Sequence, residues 1–338
     1  MRPSATLIVG PSWVGDMVIA QALFKRMKAE VPERALDVLA PAWSLPIVAR
    51  MPEIRRGIAS QTGHGEFGFR KRRQIAATLR DEDYDHAIVL PRSFKAALIP
   101  WLAGIPTRTG YRGESRFFII NDTRPFNKAI LDQTVKRFVA LGGSEGSTFD
   151  SIPEPALAVS EQHQRRLLKE LSLTTERPVV AMMPGAEYGP AKCWPLKHFA
   201  ELAGALDERG YAVWVLGSAK DTPAGAVIAE QGRAQNLCGK TSLEDAIDLL
   251  ALCEQAVSND SGLMHIAAAV GSHVHSIYGS SSPGFTPPLT AKCTIHYLGL
   301  ECSPCFKREC PLGHLNCLHG IAPAVILASI AAAGANAR

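Results

Sequence analysis

The stretch A-V-S-N-D-S-G-L-M-H-I-A-A-A-V-G at positions 256–271 decides the fold. A short apolar run ends at a polar turn that contains glycine, and apolar residues then return with the spacing of a helix. A buried strand that turns directly into a helix is the repeating unit of a parallel sheet with crossover helices. The stretch therefore predicts a strand over 256–258 and a helix over 263–270, with Asp260 and His265 beside the turn.

The same alternation of short apolar runs and helix-period segments recurs along almost the whole chain of 338 residues. Further strands are predicted over 6–10, 36–40, 86–90, 178–183, 211–217 and 274–279. Further helices are predicted over 17–31, 94–103, 131–141, 198–209, 243–253 and 322–333. The predicted fold class is α/β, with two Rossmann-like doubly wound domains that face a central cleft at the carboxyl ends of their strands.

A change of composition near the middle of the chain marks the predicted domain boundary. The segment G-G-S-E-G-S at 142–147 is followed by I-P-E-P at 152–155, and such residues favour a linker. We therefore expect a first domain over 1–155, a second domain over 156–322, and a C-terminal helix over 323–338 that could pack back on the first domain.

Composition and charge are those of an ordinary soluble globular protein. Apolar residues make up 46% and charged residues 20%, and the formal net charge is +4. This charge is too small to indicate nucleic acid, although local basic clusters can serve an anionic substrate or an anionic membrane surface. No secretory signal follows Met1, and no run approaches the ~18 apolar residues of a membrane span. We expect a cytoplasmic protein whose eight cysteines are reduced or ligand-bound.

The first loop, G-P-S-W-V-G-D at 10–16, joins the first strand to the first helix, where phosphate-binding loops usually lie. Its glycines have the spacing of a Walker A loop, but Asp16 stands where that loop needs lysine, which disfavours nucleoside triphosphate hydrolysis. A G-x-G-x-x-G motif is missing from this loop, which weakens a nicotinamide-cofactor interpretation. Asp16 is then either a helix N-cap or a general base.

Three loops of the second half follow predicted strands. P-G-A-E-Y-G-P-A-K-C-W-P at 184–195 has Lys192 as its only cation, and G-S-A-K-D at 217–221 has small residues that suit a nucleoside. The third is the opening stretch, where NH groups at the start of the helix would point toward an anion. Asp260 is predicted either to cap that helix or to bind a sugar hydroxyl. His265 is predicted either to pack in the core or to donate to sugar or phosphate.

Taken together these motifs resemble the ADP-heptose:lipopolysaccharide heptosyltransferases, inverting enzymes of glycosyltransferase family 9. The motifs that carry the resemblance are G-P-S-W-V-G-D-M, L-P-R-S-F-K, G-I-P-T-R-T-G-Y-R-G-E, P-G-A-E-Y-G-P-A-K-C-W-P, G-S-A-K-D, N-D-S-G-L-M-H and Y-G-S-S-S-P-G-F-T-P-P, in this order. The resemblance implies the GT-B fold, with the acceptor on the N-terminal domain and ADP-heptose on the C-terminal domain. It also implies transfer of L-glycero-D-manno-heptose from ADP-heptose to the first heptose of the inner core, on heptosyl-Kdo2-lipid A.

The same resemblance assigns roles by motif position. Asp16 would deprotonate the acceptor hydroxyl, and Lys192 would neutralise charge on the departing ADP. The donor-binding set that we expect is Glu187, Ser218, Asp221, Asp260, Ser261, Gly262, Leu263 and His265. The acceptor-binding set that we expect is Ser12, Gly15, Arg92, Lys95, Arg108 and Arg112. We expect no cofactor in the reaction, because the acidic run at 81–85 precedes a strand and is better explained as a solvated turn than as a metal site.

Basic residues concentrate in the first half. Arg70-Lys71-Arg72-Arg73 opens a predicted helix, and runs of this kind most often form a solvated face. Arginines on later loops, with Arg116 among them, are better candidates for binding the carboxylates and phosphates of core sugars, because a guanidinium can grip these groups with two hydrogen bonds. We also expect this half to meet the anionic cytoplasmic face of the inner membrane peripherally.

Four of the eight cysteines form the cluster Cys302-x2-Cys305-x4-Cys310-x6-Cys317, with His314 and His319 close by. Four thiolates in a short segment suit a tetrahedral structural zinc ion, although the second spacing is wider than usual. An iron–sulfur cluster, disulfides and simple buried thiols are the alternatives. The isolated cysteines are predicted to be inert, namely Cys193, Cys238, Cys253 and Cys293.

Two other interpretations remain open at this level. One is a different nucleotide-sugar enzyme of the same fold, such as a transferase with another donor or a UDP-sugar epimerase. The other is a non-catalytic nucleotide-binding protein.

Overall fold

The structure is a computed structural model that describes residues 5–60, 67–143, 149 and 151–336. It divides into two compact units, Met1–Pro155 and Ala156–Arg338. The predicted linker lies partly outside the described residues, because its positions 144–147 are not among them.

The first unit is a parallel sheet in which strands and helices alternate along the chain. Its elements are β1 (Ala5–Val9), α1 (Val14–Glu30), β2 (Ala35–Pro41), α2 (Leu45–Val48), β3 (Arg56–Ser60), α3 (Phe69–Leu79), β4 (Tyr84–Val89), α4 (Phe94–Leu102), β5 (Thr107–Tyr111), β6 (Asp122–Arg124) and α5 (Thr134–Gly142). The strand order is β3-β2-β1-β4-β5-β6, and every described pair is parallel. This is the doubly wound order of Rossmann-like domains.

The second unit repeats the same plan. Its elements are α6 (Glu161–Glu170), β7 (Val179–Met183), α7 (Leu196–Glu208), β8 (Ala212–Val215), α8 (Thr222–Gly232), β9 (Gln235–Asn236), α9 (Leu243–Leu250), β10 (Gln255–Asn259), α10 (Gly262–Ala269), β11 (His273–Ile277), β12 (Cys293–His296), α11 (Asn316–His319) and α12 (Pro323–Asn336). The strand order β12-β11-β10-β7-β8-β9 matches that of the first sheet, with β7 in the place of β1 and β10 in the place of β4.

Burial explains why the central strands were visible in the sequence. Every residue of β1, β7 and β10 is buried, because parallel strands with helices on both faces have no solvent side. The helix α12 packs on α7 and β11 within the second unit, and buries Ile326 and Ile330 there.

Each predicted strand and helix is present, with ends that differ by a few residues. The strand predicted over 211–217 ends at Val215, and the helix predicted over 243–253 ends at Leu250. The elements that the prediction did not contain are short, at a sheet edge or weakly patterned: β3, β5, β6, β9, β12, α2, α6, α8 and α11. A strand of two or three residues, such as β6 or β9, has no periodicity to detect.

In both sheets the strand order reverses between two neighbouring central strands, β1 and β4 in the first and β7 and β10 in the second. Ligands of doubly wound sheets bind at this switch point, beside the carboxyl ends of the strands. The loops that matter are therefore those that follow β1, β4, β7 and β10.

Candidate active site

The loops after β7 and β10 are held together by one buried amide. The Asn259 side chain accepts a hydrogen bond from the Trp194 backbone NH at 2.9 Å and donates one to the Pro184 carbonyl at 2.6 Å. One side chain thus fastens both ends of the loop 184–194. The sequence analysis assigned no role to Asn259, although a buried amide at the end of a central strand is the kind of residue that fixes a neighbouring loop.

Lys192 and Asp260 form an ion pair at this switch point. Lys192 Nζ lies 2.5 Å from Asp260 Oδ2, and the two side chains are 17% and 5% exposed. Lys192 Nζ also lies 5.2 Å from the centre of the Tyr188 ring. A carboxylate this deeply buried requires a cation or several donors, and here Lys192 provides one.

The prediction that Asp260 caps α10 is therefore wrong. The N-cap residue of this helix is Ser261, and among the described residues no side chain donates or accepts a capping bond there. Asp260 precedes the cap and points its carboxylate to Lys192 instead. Its other predicted role, binding a sugar hydroxyl, stays a prediction.

The start of α10 has the properties of an anion site. Ser261, Gly262 and Leu263 are all half-buried, so a ligand can reach their backbone. The first NH groups of a helix have no acceptor within the helix, and the helix dipole favours negative charge at that end. Because Asp260 holds Lys192 beside this helix start, a cation and the first amides of α10 meet at one place.

His265 lies in the first turns of α10 and is buried. Burial lowers the pKa of its imidazole to about 4, Asp260 opposes that shift, and the positive charge of Lys192 adds to it. The imidazole is therefore neutral at neutral pH. It is a core histidine next to the ion pair, and its predicted donation to sugar or phosphate stays a prediction.

The loop 217–221 is shaped by Asp221. Its Oδ2 accepts hydrogen bonds from the Ser218 NH and the Ser218 hydroxyl, both at 2.8 Å. A Cβ on Gly185 would lie 2.5 Å from Asp221 Oδ1, and a Cβ on Gly217 would lie 2.8 Å from Asp221 Cβ. Glycine at both positions lets the carboxylate fit between the two loops. Asp221 and Ser218 thus bind each other in this structure.

Glu187 belongs to the same pair of loops and is exposed. Its carboxylate accepts hydrogen bonds from Lys220 Nζ at 3.0 and 3.1 Å, which links the loop after β7 to the loop after β8. The predicted donor-binding residues on these loops are therefore brought together.

In the first unit, Asp16 lies in the first turn of α1, with Trp13 as the N-cap residue. It is half-buried, and it is not the N-cap that one interpretation expected. A carboxylate in the first turn of a helix interacts favourably with the helix dipole. The predicted acceptor residues beside it differ in exposure, because Ser12 is exposed and Gly15 is buried.

Two exposed arginines of the first unit stack on aromatic rings. The Arg92 guanidinium lies 4.7 Å from the Phe126 ring centre, and the Arg112 guanidinium lies 5.4 Å from the Phe117 ring centre. Arg92 also donates to the Arg112 carbonyl at 3.3 Å. Stacking orders a guanidinium while its N–H edge can still meet a carboxylate or phosphate.

Two other arginines of this region have a structural role that the sequence did not reveal. Arg108 donates from Nε to the Ile119 carbonyl at 2.6 Å. Arg116 is buried and donates to the carbonyls of Tyr111 at 2.7 Å and Pro91 at 2.8 Å, and burial lowers the pKa of its guanidinium to about 10. Their donors hold neighbouring segments in place, and acceptor binding by these two residues stays a prediction.

Arg72 departs from the expectation that the basic run at 70–73 forms a solvated face. Arg70, Lys71 and Arg73 are exposed on α3, but Arg72 is buried. Its guanidinium donates to the carbonyls of Phe67 at 2.7 Å and Lys95 at 3.0 Å. The run is thus a solvated face with one residue that ties α3 to the start of α4. Lys95, which is half-buried, contributes its carbonyl to that contact.

The four clustered cysteines line one small cavity, together with Ala191, Ser280, Pro311, Leu312, His314 and Leu315. All eight cysteines lie in described ranges and carry free thiols. Among the described residues, no three His, Cys, Asp or Glu side chains form a ready-made metal site. Zinc at this cluster therefore stays a prediction.

Two doubly wound parallel sheets, with a cation and a helix N-terminus at the switch point of the second, define a glycosyltransferase of the GT-B class. The family model described as glycosyltransferase family 9 (heptosyltransferase) matches residues 72–316. The chain belongs to this family and is a heptosyltransferase, which confirms the predicted fold class and enzyme class.

Individual relatives agree with the family. The chain is 43% identical over 333 residues to lipopolysaccharide heptosyltransferase 2 of Escherichia coli (strain K12), covering 95% of this chain and 96% of that protein. It is 46% identical over 303 residues to lipooligosaccharide heptosyltransferase 2 of Haemophilus influenzae, covering 86% and 87%. The solved structure of E. coli ADP-heptose lps heptosyltransferase II superposes with a TM-score of 0.87 at 40% identity, covering 97% of this chain and 98% of that chain.

Proposed function

We propose that this heptosyltransferase transfers L-glycero-D-manno-heptose from ADP-heptose to the first heptose of heptosyl-Kdo2-lipid A, with inversion at the anomeric carbon. The observation that carries the proposal is the Lys192–Asp260 pair beside the start of α10. The names of the relatives, which specify lipopolysaccharide and heptosyltransferase 2, support the substrate class.

The donor half of the reaction follows from charge. When the bond between the sugar and the diphosphate breaks, negative charge grows on the ADP oxygens, and fixed cations or NH groups must stabilise it. An ammonium has three donors, and Asp260 takes one from Lys192, so the others can reach phosphate oxygens. The amides of Ser261, Gly262 and Leu263 supply further donors, while Asp221 and Ser218 shape the adenosine side.

The acceptor half uses Asp16 and the exposed arginines. Asp16 would take the proton from the acceptor hydroxyl as its oxygen attacks the anomeric carbon. One carboxylate base suits a single displacement with inversion, because no second nucleophile is required. Arg92 and Arg112 would bind carboxylate or phosphate groups of the core. Base and cation come from the protein, so the proposed reaction uses no cofactor.

The central experiment is turnover with purified substrates. We expect ADP release and heptose transfer from ADP-heptose to heptosyl-Kdo2-lipid A, and no transfer to the acceptor that lacks the heptose. Thermal-shift measurements with ADP, UDP and GDP check the donor separately. A larger stabilisation by UDP than by ADP would show a different donor. Transfer to the acceptor that lacks the heptose would show that the enzyme adds a different sugar of the inner core than proposed.

We further propose that the enzyme works in the cytoplasm, at the surface of the inner membrane. No helix within the described ranges is long and apolar enough to cross a bilayer. Phe67 and Phe69 are exposed, stack at 6.4 Å, and lie next to the exposed basic residues of α3. Phe118 is 90% exposed on a later loop. Aromatic rings beside lysines and arginines are typical of surfaces that bind anionic lipid headgroups.

Vesicle sedimentation tests this surface. The protein should sediment with vesicles that contain anionic lipid and not with purely zwitterionic vesicles. Arg70→Glu combined with Arg73→Glu should abolish sedimentation, whereas Lys169→Glu, at an exposed position of α6 in the other unit, should not. Equal sedimentation of both variants would contradict the proposed surface.

A further inference from the structure

The segment 301–316, which contains three of the four clustered cysteines, has no buried side chain although the structure describes all of it. It nevertheless holds a defined backbone. Phe306 and Leu315 have φ of +54° and +51°, in the left-handed region that non-glycine residues rarely occupy. Such residues persist where their surroundings hold them in place. Apolar burial contributes little here, so hydrogen bonds to neighbouring loops and the groups around the thiols have to order the segment.

The thiols of the cluster share one location. Cys302, Cys305, Cys310 and Cys317 all line one cavity of about 20 Å³, which has room for one water-sized group or one ion and not for an organic ligand.

Ser280 points to the same cavity. Its side chain is 2% exposed and lines the cavity, and within the described chain its hydroxyl oxygen has no hydrogen-bond partner. A buried hydroxyl without a partner is costly. The Ser280 hydroxyl would gain a partner by donating to a cysteine sulfur that carries negative charge.

We propose that Cys302, Cys305, Cys310 and Cys317 bind one divalent transition-metal ion, zinc by preference, and that this ion positions the loop that carries Lys192. Each thiol loses its proton to solvent as its sulfur bonds the ion, and four thiolates complete a tetrahedral site. The thiols are not yet arranged as a metal site in the described chain. Cys302 is exposed, and Cys305 and Cys310 are half-buried, so these side chains can rotate inward.

The link to Lys192 consists of backbone hydrogen bonds. The Ala191 NH donates to the Arg308 carbonyl at 3.0 Å, and the Ser280 NH donates to the Ala191 carbonyl at 3.2 Å. The Tyr188 hydroxyl donates to the Phe306 carbonyl at 2.7 Å. The segment 301–316 therefore holds the residues on the N-terminal side of Lys192. The ion is a positioning element, and no step of the reaction uses it.

Metal content tests the site without any activity measurement. Protein purified without a chelator or an affinity metal should contain about one equivalent of zinc per chain by elemental analysis. Cys305→Ser should lose the metal, whereas Cys293→Ser, at a half-buried thiol outside the cluster, should retain it. One equivalent of iron would support the thiolate site with a different ion. Less than about 0.2 equivalents of any transition metal, or disulfides among the four cysteines by mass spectrometry, would overturn it.

Nucleotide binding tests the link to Lys192, and this step rests on the proposed function. Removing the ion with a chelator should weaken ADP binding, measured by calorimetry, about fivefold or more, and one equivalent of zinc should restore it. The Cys305→Ser variant should bind ADP as weakly as the stripped protein. Unchanged ADP affinity after loss of the metal would overturn the positioning role. Failure of the stripped and loaded proteins alike to bind ADP would refute the proposed donor and leave the metal measurement unaffected.

Discussion

The loops after β1 and β7 occupy the same position in two sheets of the same strand order, but they are built differently. The loop after β1, residues 10–13, passes directly into α1 and leaves Trp13 47% exposed. The loop after β7, residues 184–195, is longer and is fixed by Asn259 and by the Lys192–Asp260 pair. A shared scaffold thus presents a carboxylate at one switch point and a cation at the other, because function lies in the loops and not in the fold.

The difference has an energetic consequence. Asp16 lies in the first turn of the helix that follows its loop, and an asparagine in its place keeps the size of the side chain and one of its oxygens. Lys192 is positioned by residues far away in sequence, so its position depends on tertiary contacts. Substitutions in the first loop should therefore change chemistry with little change in stability, whereas substitutions around the second loop should change both.

The largest expected effect tests the first half of this comparison. Asp16→Asn should lower kcat by about 1,000-fold, because a general base contributes roughly 10²–10⁴-fold to a rate. ADP affinity and thermal stability should remain near those of the wild type. Steady-state kinetics, ADP calorimetry and a melting curve check the three quantities. Asp132→Asn, which alters an exposed carboxylate paired with Lys136 in the same unit, is the control and should be fully active.

The second prediction tests the ion pair. Lys192→Met should lower kcat/KM by about 100-fold, since it removes a cation from the developing charge. It should also lower the free energy of unfolding by roughly 3 kcal/mol, because it leaves the Asp260 carboxylate buried without a partner. Adding Asp260→Asn should restore stability but not activity. Arg233→Met, at an exposed ion pair with Asp207 in the same unit, should lower neither kcat/KM nor the free energy of unfolding. Full stability of the single Lys192 variant would remove the contrast between the two loops.

The third prediction concerns the amide that fixes the second loop. Asn259→Ala removes both hydrogen bonds and should lower the free energy of unfolding by about 2 kcal/mol, because a buried NH and a buried carbonyl lose their partner. ADP affinity should fall as the loop loosens. Denaturant unfolding and calorimetry measure the two effects. The control is Asn127→Ala, at an exposed position of the first unit, which should change stability little. If Asn127→Ala lowered stability as much as Asn259→Ala, the interpretation would be contradicted.

The smallest effect per residue is a pH dependence, which sharpens the comparison. Burial lowers the pKa of His265 to about 4, of His275 to about 3 and of His296 to about 4, and all three belong to the second unit. A histidine in the unfolded chain has a pKa of about 6.5. Below about pH 6.5 the unfolded chain therefore binds more protons at these histidines than the folded chain does. The free energy of unfolding should therefore be greatest above pH 6.5 and should fall by about 1 kcal/mol per histidine at pH 5.5.

Melting temperatures at pH 7.5 and pH 5.5 check this prediction. His275→Gln should reduce the difference between the two, because it removes the group with the lowest folded-state pKa among the three. Equal melting temperatures of the wild type at both pH values would show that these histidines do not link protonation to unfolding.

The arginines of the first unit show how far residue type alone can predict a site. Arg92 and Arg108 have the same side chain, and the sequence assigned them the same role, although Arg92 lies on a loop and Arg108 in β5. In the folded protein the guanidinium of Arg92 lies against Phe126, whereas that of Arg108 meets backbone carbonyls. Whether an arginine meets a ring or a backbone carbonyl depends on how separate segments of the chain pack. The hydrophobic periodicity of the sequence contains no such information.

The loops after β7 and β10 also separate what the sequence predicts from what the tertiary structure decides. Lys192, Ser261 and Gly262 were identified correctly as residues of one switch point, because each follows a central strand and parallel strands end at a common edge. The contact between Lys192 and Asp260 joins positions 68 residues apart, and it takes the place of the capping bond that was one of the two predicted roles of Asp260. A cap is a local interaction, whereas a buried carboxylate takes whichever cation the fold brings to it.

Short-range pattern was sufficient for the central strands, the main helices and the chemical character of each loop, because these depend on neighbouring residues. Pairing required the tertiary structure: Asn259 with Trp194, Lys192 with Asp260, and the cysteine segment with Ala191. The physical reason is that burial and hydrogen bonding are settled between groups that meet only after the chain has folded. Sequence specified which groups were available, and packing decided which of them would meet.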